Sequence, residues 1–523
     1  MAGEIVLSPH PDVTVPDLPL HEFVLADAMA RADQAALIDG PSGRTLTYGQ
    51  LAGGVRRVAA GLAARGFAKG DVFAIYSPNL PEYALAFYGV SAAGGINTTV
   101  SPLYTADELA RQLADAGARF LLTVPPFLDK ALDAAGRSGV EEVFVLGEGE
   151  GATPFASLMT AGDTPPEVVF DPANDLVALP YSSGTTGLPK GVMLTHRNLV
   201  ANLCQGTTAL LADEGERLIA VLPFFHIYGL VVLMAAALSR GATLVTMPRF
   251  DLEQFLGLLQ DQRITQAYVA PPIVLALAKH PLVDKYDLSS LQSVFSGAAP
   301  LAASLERACN ERLGCAVMQG WGLTETSPVV TTNFNTPQGP QPGSVGVPLP
   351  NTEMRVVDPA TGADVSRGET GELLVRGPQV MKGYLNAPEA TAAMLDPDGW
   401  LHTGDLGKID EQGYVYIVDR VKELIKYKGL QIAPAELEAV LLSHPEVSDA
   451  AVVRLPDEEA GEVPKAFVVA RGQVDPEELM AFVAERVAPH KKVRQVEFVD
   501  EIPKAASGKI LRRVLMERDR HPG

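Results

Sequence analysis

Short runs of apolar residues alternate with segments of helical periodicity over the first two-thirds of the chain. Residues 48–65 have the pattern of a helix that Gly66 can cap, and Val72–Tyr76 follows as a buried strand. Thr105 and Glu108 have the spacing of a capping box, which predicts the start of another helix. Further strands are predicted at 120–124, 143–146, 244–247 and 267–270, and a further helix from about residue 252. Because the alternation occurs on both sides of residues 181–191, we expect two parallel-rich sheets covered by helices.

The pattern changes from about Thr352, where short apolar segments are separated by Gly and Pro turns. The segments 354–357, 372–376 and 414–418 predict a small antiparallel, barrel-like layer. Beyond Arg420, helical patterns at 436–443 and 477–487 and strand patterns at 449–453 and 495–499 predict a compact α+β unit. The sequence therefore predicts an α/β protein with a large N-terminal domain, 1–419, and a small C-terminal domain, 420–523. The boundary is expected near 419–422.

Residues 218–239 carry no charge, which is long enough to suggest a membrane span. Pro223, His226, Tyr228 and Gly229 interrupt this stretch. We interpret it as a buried strand, a turn and a buried helix, so no membrane span is expected.

Composition narrows the function classes. The chain has 523 residues, of which 47% are hydrophobic and 20% are charged, as in soluble multidomain proteins. Its net charge of −21 argues against general nucleic-acid binding, which needs a basic surface. Cys204, Cys309 and Cys315 form no C-x-x-C pair, which disfavours a disulfide framework or a structural zinc site. The N-terminus shows no signal-peptide pattern and the C-terminus no peroxisomal tripeptide, so a cytoplasmic location is expected.

The segment 181–191 has the composition of a phosphate-holding loop, in which glycine admits an anion close to the backbone and hydroxyl and ammonium groups bind it. The alternative is a flexible surface loop. It is not a Walker A motif, because Lys190 follows Pro189 rather than Gly. The residues predicted to bind phosphate are Ser182, Ser183, Gly184, Thr185, Thr186, Gly187 and Lys190.

Five more motifs follow this loop in a fixed order, at 225–229, 320–325, 403–407, 419–429 and 503–509. Together the six motifs resemble those of the adenylate-forming superfamily of acyl-CoA synthetases, adenylation domains and firefly luciferase, over about residues 20–513. Residues 426–438 are most similar to 4-coumarate:CoA ligases. Residues 371–377 read Gly-Glu-Leu-Leu-Val-Arg-Gly where the plant ligases carry Gly-Glu-Ile-Cys-Ile-Arg-Gly, so the cysteine of that box is missing, a departure that concerns the substrate and not the reaction.

The resemblance implies an acid:CoA ligase that uses ATP, Mg²⁺ and coenzyme A. A carboxylic acid, of the 4-coumarate or cinnamate kind, would be adenylated with release of pyrophosphate. CoA would then form the thioester and release AMP. The alternatives are a ligase for medium-chain fatty or other aryl acids, an adenylating enzyme with another second half-reaction, a membrane-associated acyl-binding protein and an inactive nucleotide-binding scaffold. A monomer or homodimer is expected.

Roles in the first half-reaction follow from the same resemblance. The carboxylate is already ionised at neutral pH, so the obstacle is repulsion between two anions, which positive charge relieves. Lys509 would bridge the carboxylate and the α-phosphate, unless it belongs to a solvated basic tail. Residues implied for the nucleotide and its metal are Asp405 at the ribose, Arg420 at the ribose or the α-phosphate, Trp321 and Gln319 at adenine, Thr324 at the α-phosphate and Glu325 at Mg²⁺.

The resemblance also implies an acyl pocket and a moving domain. His226 would lie by the acyl carboxylate, unless it is an ordinary buried histidine, and the pocket walls would be Tyr228, Gly297, Ala298, Gly320, Gly322, Pro328 and Val329. Lys422 occupies the hinge position of a mobile C-terminal domain. After the domain swings, the residues implied in the CoA step are Lys426, Lys428, Gly429 and Gln431.

Overall fold

The computed structural model describes residues 5–182, 189–206, 213–334, 336, 338–428, 430–457, 459–505 and 508–520. The strands are β1 (Val6–Leu7), β2 (Ala35–Asp39), β3 (Thr45–Thr47), β4 (Val72–Tyr76), β5 (Ile96–Thr99), β6 (Ala118–Thr123), β7 (Glu142–Val145), β8 (Thr153–Pro154), β9 (Leu176–Ala178), β10 (Tyr181–Ser182), β11 (Lys190–Thr195), β12 (Arg217–Ala220), β13 (Thr243–Thr246), β14 (Gln266–Val269), β15 (Ser293–Ser296), β16 (Ala316–Gly322), β17 (Val329–Thr332), β18 (Val347–Pro348), β19 (Glu353–Val357), β20 (Gly371–Arg376), β21 (Gly383–Tyr384), β22 (Leu401–Ile409), β23 (Val415–Arg420), β24 (Ile425–Tyr427), β25 (Leu430–Ile432), β26 (Val447–Asp457), β27 (Gly461–Ala470) and β28 (Gln495–Phe498).

The α-helices are α1 (Leu20–Leu25), α2 (Tyr48–Ala64), α3 (Pro81–Ala92), α4 (Ala106–Ala116), α5 (Leu128–Gly136), α6 (His196–Gly206), α7 (Ala236–Arg240), α8 (Leu252–Asp261), α9 (Pro271–Lys279), α10 (Ala303–Leu313), α11 (Pro388–Met394), α12 (Pro434–Leu442), α13 (Pro476–Ala484) and α14 (Arg512–Arg520). Short 3₁₀ turns lie at Pro125–Phe127, Phe155–Thr160, Pro281–Lys285, Thr324–Thr326 and Pro489–Lys491. The predicted capping box is present, since Thr105 accepts the backbone N–H of Glu108 at 3.3 Å and Glu108 accepts that of Thr105 at 2.8 Å.

Two nine-stranded sheets confirm the prediction of two parallel-rich layers. The first has the order β10-β11-β9-β5-β4-β6-β7-β8, with β21 paired to β11. The second has the order β18-β17-β16-β15-β14-β12-β13-β2-β3, and its strands from β16 to β2 are parallel. The largest apolar core contains residues of both sheets and of α3. All residues of α3 except Glu82 are buried, as expected for a helix that is apolar all round and lies between two layers.

The region after Thr352 forms an antiparallel sheet of five strands, in the order β1-β19-β20-β22-β23. Within the described residues this sheet is an open half-barrel, with β1 and β23 at its edges, which confirms the predicted barrel-like antiparallel layer. Beyond Arg420 a separate sheet has the order β25-β24-β27-β26, with β28 on β27, and its own apolar core.

The uncharged stretch is a strand, a turn and a buried helix, as predicted. β12 leads into a turn whose backbone is held by Asn79, which donates to the carbonyls of Ala220 and Leu222 and accepts from the N–H of Phe224. A π-helical segment, Tyr228–Ala235, then continues into α7 and is buried throughout. Among the described residues, none of the helices combines the length and the apolar character needed to cross a bilayer.

Candidate active site

The phosphate-holding loop predicted from the sequence connects two paired strands. Ser182 ends β10 and Lys190 begins β11, and these two residues face each other in the antiparallel register. The predicted loop residues Ser183, Gly184, Thr185, Thr186 and Gly187 lie outside the described residues. The two ends of the loop are therefore held next to each other by this strand pair, at the edge of the first sheet.

A buried carboxylate joins this edge to the second sheet. Glu325 is 6% exposed and lies in the 3₁₀ turn after β16. Its Oε1 accepts hydrogen bonds from the hydroxyl of Ser182 at 2.8 Å and from the phenol of Tyr384 at 2.7 Å. Tyr384 is a site residue that the sequence analysis missed, because it reaches the site through the long-range pairing of β21 with β11.

A second carboxylate lies where the half-barrel meets the second sheet. Asp405 on β22 faces Arg420 on β23 in the antiparallel register, and the Arg420 Nε lies 2.9 Å from the Asp405 Oδ1. The other oxygen, Oδ2, accepts the indole N–H of Trp321 at 2.9 Å. Burial raises the pKa of Asp405, and the Arg420 charge and the Trp321 hydrogen bond oppose this rise. The Asp405 charge raises the pKa of Arg420 against the effect of burial, so the guanidinium stays charged.

The C-terminal lysine lies beside this ion pair. Gly508, the residue before it, has a left-handed backbone with φ +82°, which favours glycine. A Cβ at this position would also lie only 2.9 Å from the Cβ of Ala270, the residue before α9. Burial lowers the pKa of Lys509, and the neighbouring Arg420 lowers it further. Burial also lowers the pKa of His226, to about 4, with a further contribution from the Lys509 charge. The Lys509 charge thus acts on the Asp405–Arg420 pair and on His226.

The segment that carries Lys509 is held by a buried arginine three residues later. The Arg512 guanidinium donates to both oxygens of Glu438 at 2.7 and 2.9 Å and also bonds to Glu423. Glu438 is 8% exposed and also accepts the backbone N–H of Val452. A bidentate buried pair of this kind restricts the orientation of the start of α14.

The predicted acyl-pocket residues contact one another. A Cβ on Gly297 would lie 2.8 Å from the Cε1 of Tyr228, and one on Gly320 would lie 2.7 Å from the Cζ of Phe295. A Cβ on Gly322 would collide with the carbonyl of Pro328. Ala298 has a left-handed backbone, φ +70°, directly after Gly297, and Val329 pairs with Gly322. The rings of Tyr228 and Phe295 therefore pack directly against the backbone of Gly297 and Gly320.

His226 and Thr324 line one small cavity together with residues of the first sheet and its helices. Tyr104, Tyr181 and Phe225 form part of the same wall. His226 and Thr324 thus share a space with Tyr181, which directly precedes the first residue of the phosphate-holding loop.

Gln319 has a different environment from the one expected. Its side-chain amide donates to the carbonyl of Leu301 at 3.1 Å and to Glu306 at 2.6 Å, and its oxygen accepts the N–H of Leu301 at 3.3 Å. Both N–H donors of the amide are therefore used inside the protein, and the side chain is 3% exposed. In this structure Gln319 holds the loop after β15, and its amide N–H groups are not available to the edge of adenine.

The residues predicted for the hinge and for the CoA step lie just before and on the β24–β25 hairpin. Lys422, Lys426 and Lys428 are exposed, and Lys426 on β24 faces Gln431 on the edge strand β25. Gly429 lies outside the described residues. The Lys428 Nζ lies 5.9 Å from the ring centroid of Tyr427, a neighbour on the same hairpin. The three lysines are thus exposed, whereas the Lys509 charge acts on Asp405.

Comparison with known families covers most of the chain. Residues 25–385 match the family model described as AMP-binding enzyme. Residues 436–509 match the model described as AMP-binding enzyme C-terminal domain.

Curated relatives are similar over nearly their full length. The chain is 46% identical to 4-coumarate--CoA ligase 5 of Oryza sativa subsp. japonica, over 97% of this chain and 95% of that protein. It is 44% identical to 4-coumarate--CoA ligase of Pinus taeda, over 97% of this chain and 96% of that protein.

Solved structures share the fold over the whole chain. The ATP-bound MatB of Rhodopseudomonas palustris has a TM-score of 0.87 and 31% identity, over 97% of this chain and 100% of that chain. The anthranilate CoA ligase AuaEII, in complex with anthranoyl-AMP, has a TM-score of 0.88 and 28% identity, over 97% and 98% of the two chains.

Proposed function

The chain belongs to the AMP-binding enzyme family, and from this premise we propose that it is an AMP-forming acid:CoA ligase that acts on 4-coumarate or a similar aryl acid. In the first half-reaction a carboxylate oxygen bonds to the α-phosphorus of ATP, and the bond to the bridging oxygen breaks as pyrophosphate leaves. In the second, the CoA sulfur bonds to the acyl carbon, the thiol proton is lost, and AMP leaves with the electrons of the acyl–phosphate bond.

The single observation that carries this proposal is the position of Lys509 beside Asp405 and Arg420. Gly508, the residue before Lys509, packs against Ala270 and Pro272 at the start of α9, and the Lys509 charge lowers the pKa of both Asp405 and His226. A cation there lowers the repulsion between the incoming carboxylate and the α-phosphate without any proton transfer. Arg420 is a second fixed positive charge at the same position, held by its pair with Asp405.

The nucleotide is proposed to lie along the Trp321–Asp405–Arg420 group. Each Asp405 oxygen accepts one hydrogen bond from the protein, at 2.9 Å, which leaves acceptor capacity for the two ribose hydroxyls. The indole face of Trp321 is proposed to stack on adenine. Thr324 and Lys190, with the loop residues 183–187, are proposed to bind the phosphates.

The donor set fits a magnesium ion that is bound together with phosphates. Within the described parts of the chain, no three or more His, Cys, Asp or Glu side chains come together in an arrangement that could hold a metal ion. Glu325 is a single carboxylate next to the phosphate-holding loop, and Mg²⁺ in phosphoryl-transfer sites uses one or two carboxylates plus substrate oxygens. When bound there, the ion would neutralise charge on the leaving pyrophosphate. Glu325 would hold the ion, and Ser182 and Tyr384 hold Glu325.

The second half-reaction is proposed to need a rotation of the C-terminal domain, 420–523, about Lys422. The rotation withdraws Lys509 and brings the β24–β25 hairpin to the site, with Lys426, Lys428, Gly429 and Gln431 directed to CoA. This is supported by the exposure of the hairpin lysines in the present arrangement. His226 is proposed to lie where the CoA thiol meets the acyl group. Burial lowers its pKa to about 4, so the imidazole is neutral and adds no positive charge that would compete with that of Lys509.

A flat ring is the acyl group that suits the pocket walls. Gly297 and Gly320 carry no side chain, so the rings of Tyr228 and Phe295 pack directly against their backbone and form flat parts of the pocket walls.

We also propose that the protein works in the cytoplasm as a monomer or homodimer without a nucleic-acid partner. This is supported by its net charge of −21 and by its three buried free cysteines.

The proposal is tested by acid-dependent exchange of radiolabelled pyrophosphate into ATP, followed by detection of the CoA thioester. We expect exchange with 4-coumarate in the absence of CoA, and thioester and AMP in equal amounts when CoA is added. A protein that supports no exchange with any aromatic or aliphatic acid would contradict the proposal. Exchange without thioester formation would contradict its second half.

A further inference from the structure

Residues 381–386 cross the base of the phosphate-holding loop. The backbone N–H of Leu385 donates to the carbonyl of Gly191 at 2.8 Å, and that of Lys382 donates to Met193 at 3.0 Å. At the other side, the N–H of Met381 donates to the carbonyl of Glu325 at 2.9 Å. This segment therefore fixes strand β11 and the backbone of Glu325 relative to each other.

The same segment is anchored at its far end. The side-chain amide of Asn386 donates to the carbonyl of Asp115 at 3.1 Å, and the Asp115 carboxylate accepts the phenol O–H of Tyr181 at 2.6 Å. Tyr181 directly precedes Ser182, where the loop begins. The segment is thus tied to both ends of the loop and to Glu325.

Tyr384 is the side chain through which this segment reaches the carboxylate. It is 6% exposed, and its phenol and the hydroxyl of Ser182 both donate to Oε1 of Glu325. Two donors fill the two acceptor positions of one carboxylate oxygen. Within the described residues, the remaining oxygen of Glu325, Oε2, takes part in no hydrogen bond, so it is the oxygen left for a ligand.

The ring of Tyr384 has a second contact in the same site. The Nζ of Lys190 lies 5.9 Å from the ring centroid, a cation–π distance. One side chain therefore contacts both the acidic and the basic group that flank the loop.

We propose that Tyr384 is a positioning residue for the metal–nucleotide site, which fixes Glu325 through Oε1 so that Oε2 binds the divalent ion that accompanies ATP. This inference rests on the proposed function. Removing one hydrogen bond to a ligating carboxylate typically weakens metal binding by about tenfold or more. The phenol contributes no charge, so binding of metal-free nucleotide should depend on it much less.

The test replaces Tyr384 by Phe and measures Mn²⁺ binding in the presence of a non-hydrolysable ATP analogue by electron paramagnetic resonance. We expect the Mn²⁺ dissociation constant to rise about tenfold, while the affinity for the analogue in EDTA stays within about twofold. The matched control is Tyr286→Phe, since the Tyr286 phenol makes no hydrogen bond within the described residues and lies in another region. This control should bind Mn²⁺ like the unaltered protein.

Melting temperatures separate positioning from general damage, and the Phe variant should melt within about 3 degrees of the unaltered protein. Equal Mn²⁺ binding by the Phe variant and the unaltered protein would overturn the inference, and so would an equally large loss in EDTA. These results would leave the proposed function intact. A failure of the unaltered protein to bind Mn²⁺ with the nucleotide analogue would overturn the proposed function itself, and the inference with it.

Discussion

The indole N–H of Trp321 donates a 2.9 Å hydrogen bond to the Oδ2 of Asp405. This bond joins β16 of the second sheet to β22 of the half-barrel, two layers that are far apart in sequence. The other oxygen of Asp405 is paired with Arg420. The proposed adenine platform and the proposed ribose carboxylate are therefore one rigid unit before the nucleotide arrives.

Replacing Trp321 by Phe should raise the KM for ATP about tenfold, because a hydrogen bond to a charged group contributes roughly 1.5–3 kcal/mol. The aromatic face remains, so stacking on adenine should persist. The measurement is the ATP dependence of pyrophosphate exchange at saturating acid. As a control, Trp400→Phe changes a buried indole in the half-barrel and should leave this KM unchanged. An unaltered KM in Trp321→Phe would show that the bond does not orient Asp405.

Replacing Gly297 by Ala should disfavour aryl acids selectively. The new methyl group would lie 2.8 Å from the ring of Tyr228. Because this ring is buried, it must move from its present position, which changes the shape of the acyl pocket. One methylene in an apolar pocket changes discrimination by roughly 10- to 200-fold. We therefore expect kcat/KM for 4-coumarate to fall by about tenfold or more, and that for a short aliphatic acid to fall much less.

The matched control for this substitution is Gly53→Ala on α2, where the nearest atom to an added Cβ is 3.7 Å away, at the end of the Arg57 side chain. It should leave the kcat/KM values of both acids unchanged. An equal loss for the aryl and the aliphatic acid in Gly297→Ala would argue that Gly297 does not line the acyl pocket.

Three buried histidines make stability depend on pH. Burial lowers the pKa of His21 to about 4, of His196 to about 3 and of His226 to about 4, from an ordinary value of 6.5. The unfolded chain then binds protons between pH 6.5 and about 4 that the folded protein does not bind. Stability is therefore full above pH 6.5 and falls as the pH drops through this window, by up to about 1.4 kcal/mol per pH unit for each histidine.

Melting temperatures measured between pH 7 and pH 5 check this slope. The His196 Nδ1 accepts the backbone N–H of Leu20 at 2.9 Å, a bond that a Gln side chain can replace. His196→Gln should therefore flatten the slope, whereas His280→Gln, at an exposed position, should keep it. A His196→Gln protein with the full slope would mean that other groups cause the pH dependence.

Much of the fold follows from the sequence because local patterns determine it. The strand Val72–Tyr76 and the capping box at Thr105 appear where periodicity and helix-start signals predicted them. The interrupted apolar stretch after β12 also forms as expected, because Pro223 lies in the turn between the strand and the helical segment that begins at Tyr228. The open edge of the half-barrel could not be predicted, since closure depends on strand partners that no local pattern specifies.

The sequence motifs account for only part of the proposed site. Asp405, Arg420 and Lys509 come from three separate motifs, and the structure brings them together. Tyr384 reaches Glu325 through strand pairing between β11 and β21, which leaves no signal in the nearby sequence. The amide of Gln319 was assigned to adenine by resemblance, but bonds to Leu301 and Glu306 occupy it. Such contacts depend on tertiary packing and not on residue type.

The central claim is that Lys509 serves the adenylation step alone. The most direct measurement compares Lys509→Ala with the unaltered protein in two separate assays: pyrophosphate exchange, and thioester formation from supplied acyl-adenylate and CoA. Lys504→Ala is the control, since it removes a tail lysine that pairs with Asp449 at 2.5 Å and does not face the site. We predict that Lys509→Ala loses exchange by about a hundredfold or more and keeps thioester formation, while Lys504→Ala keeps both. An equal loss of the two activities in Lys509→Ala, or full exchange without this lysine, would contradict the account.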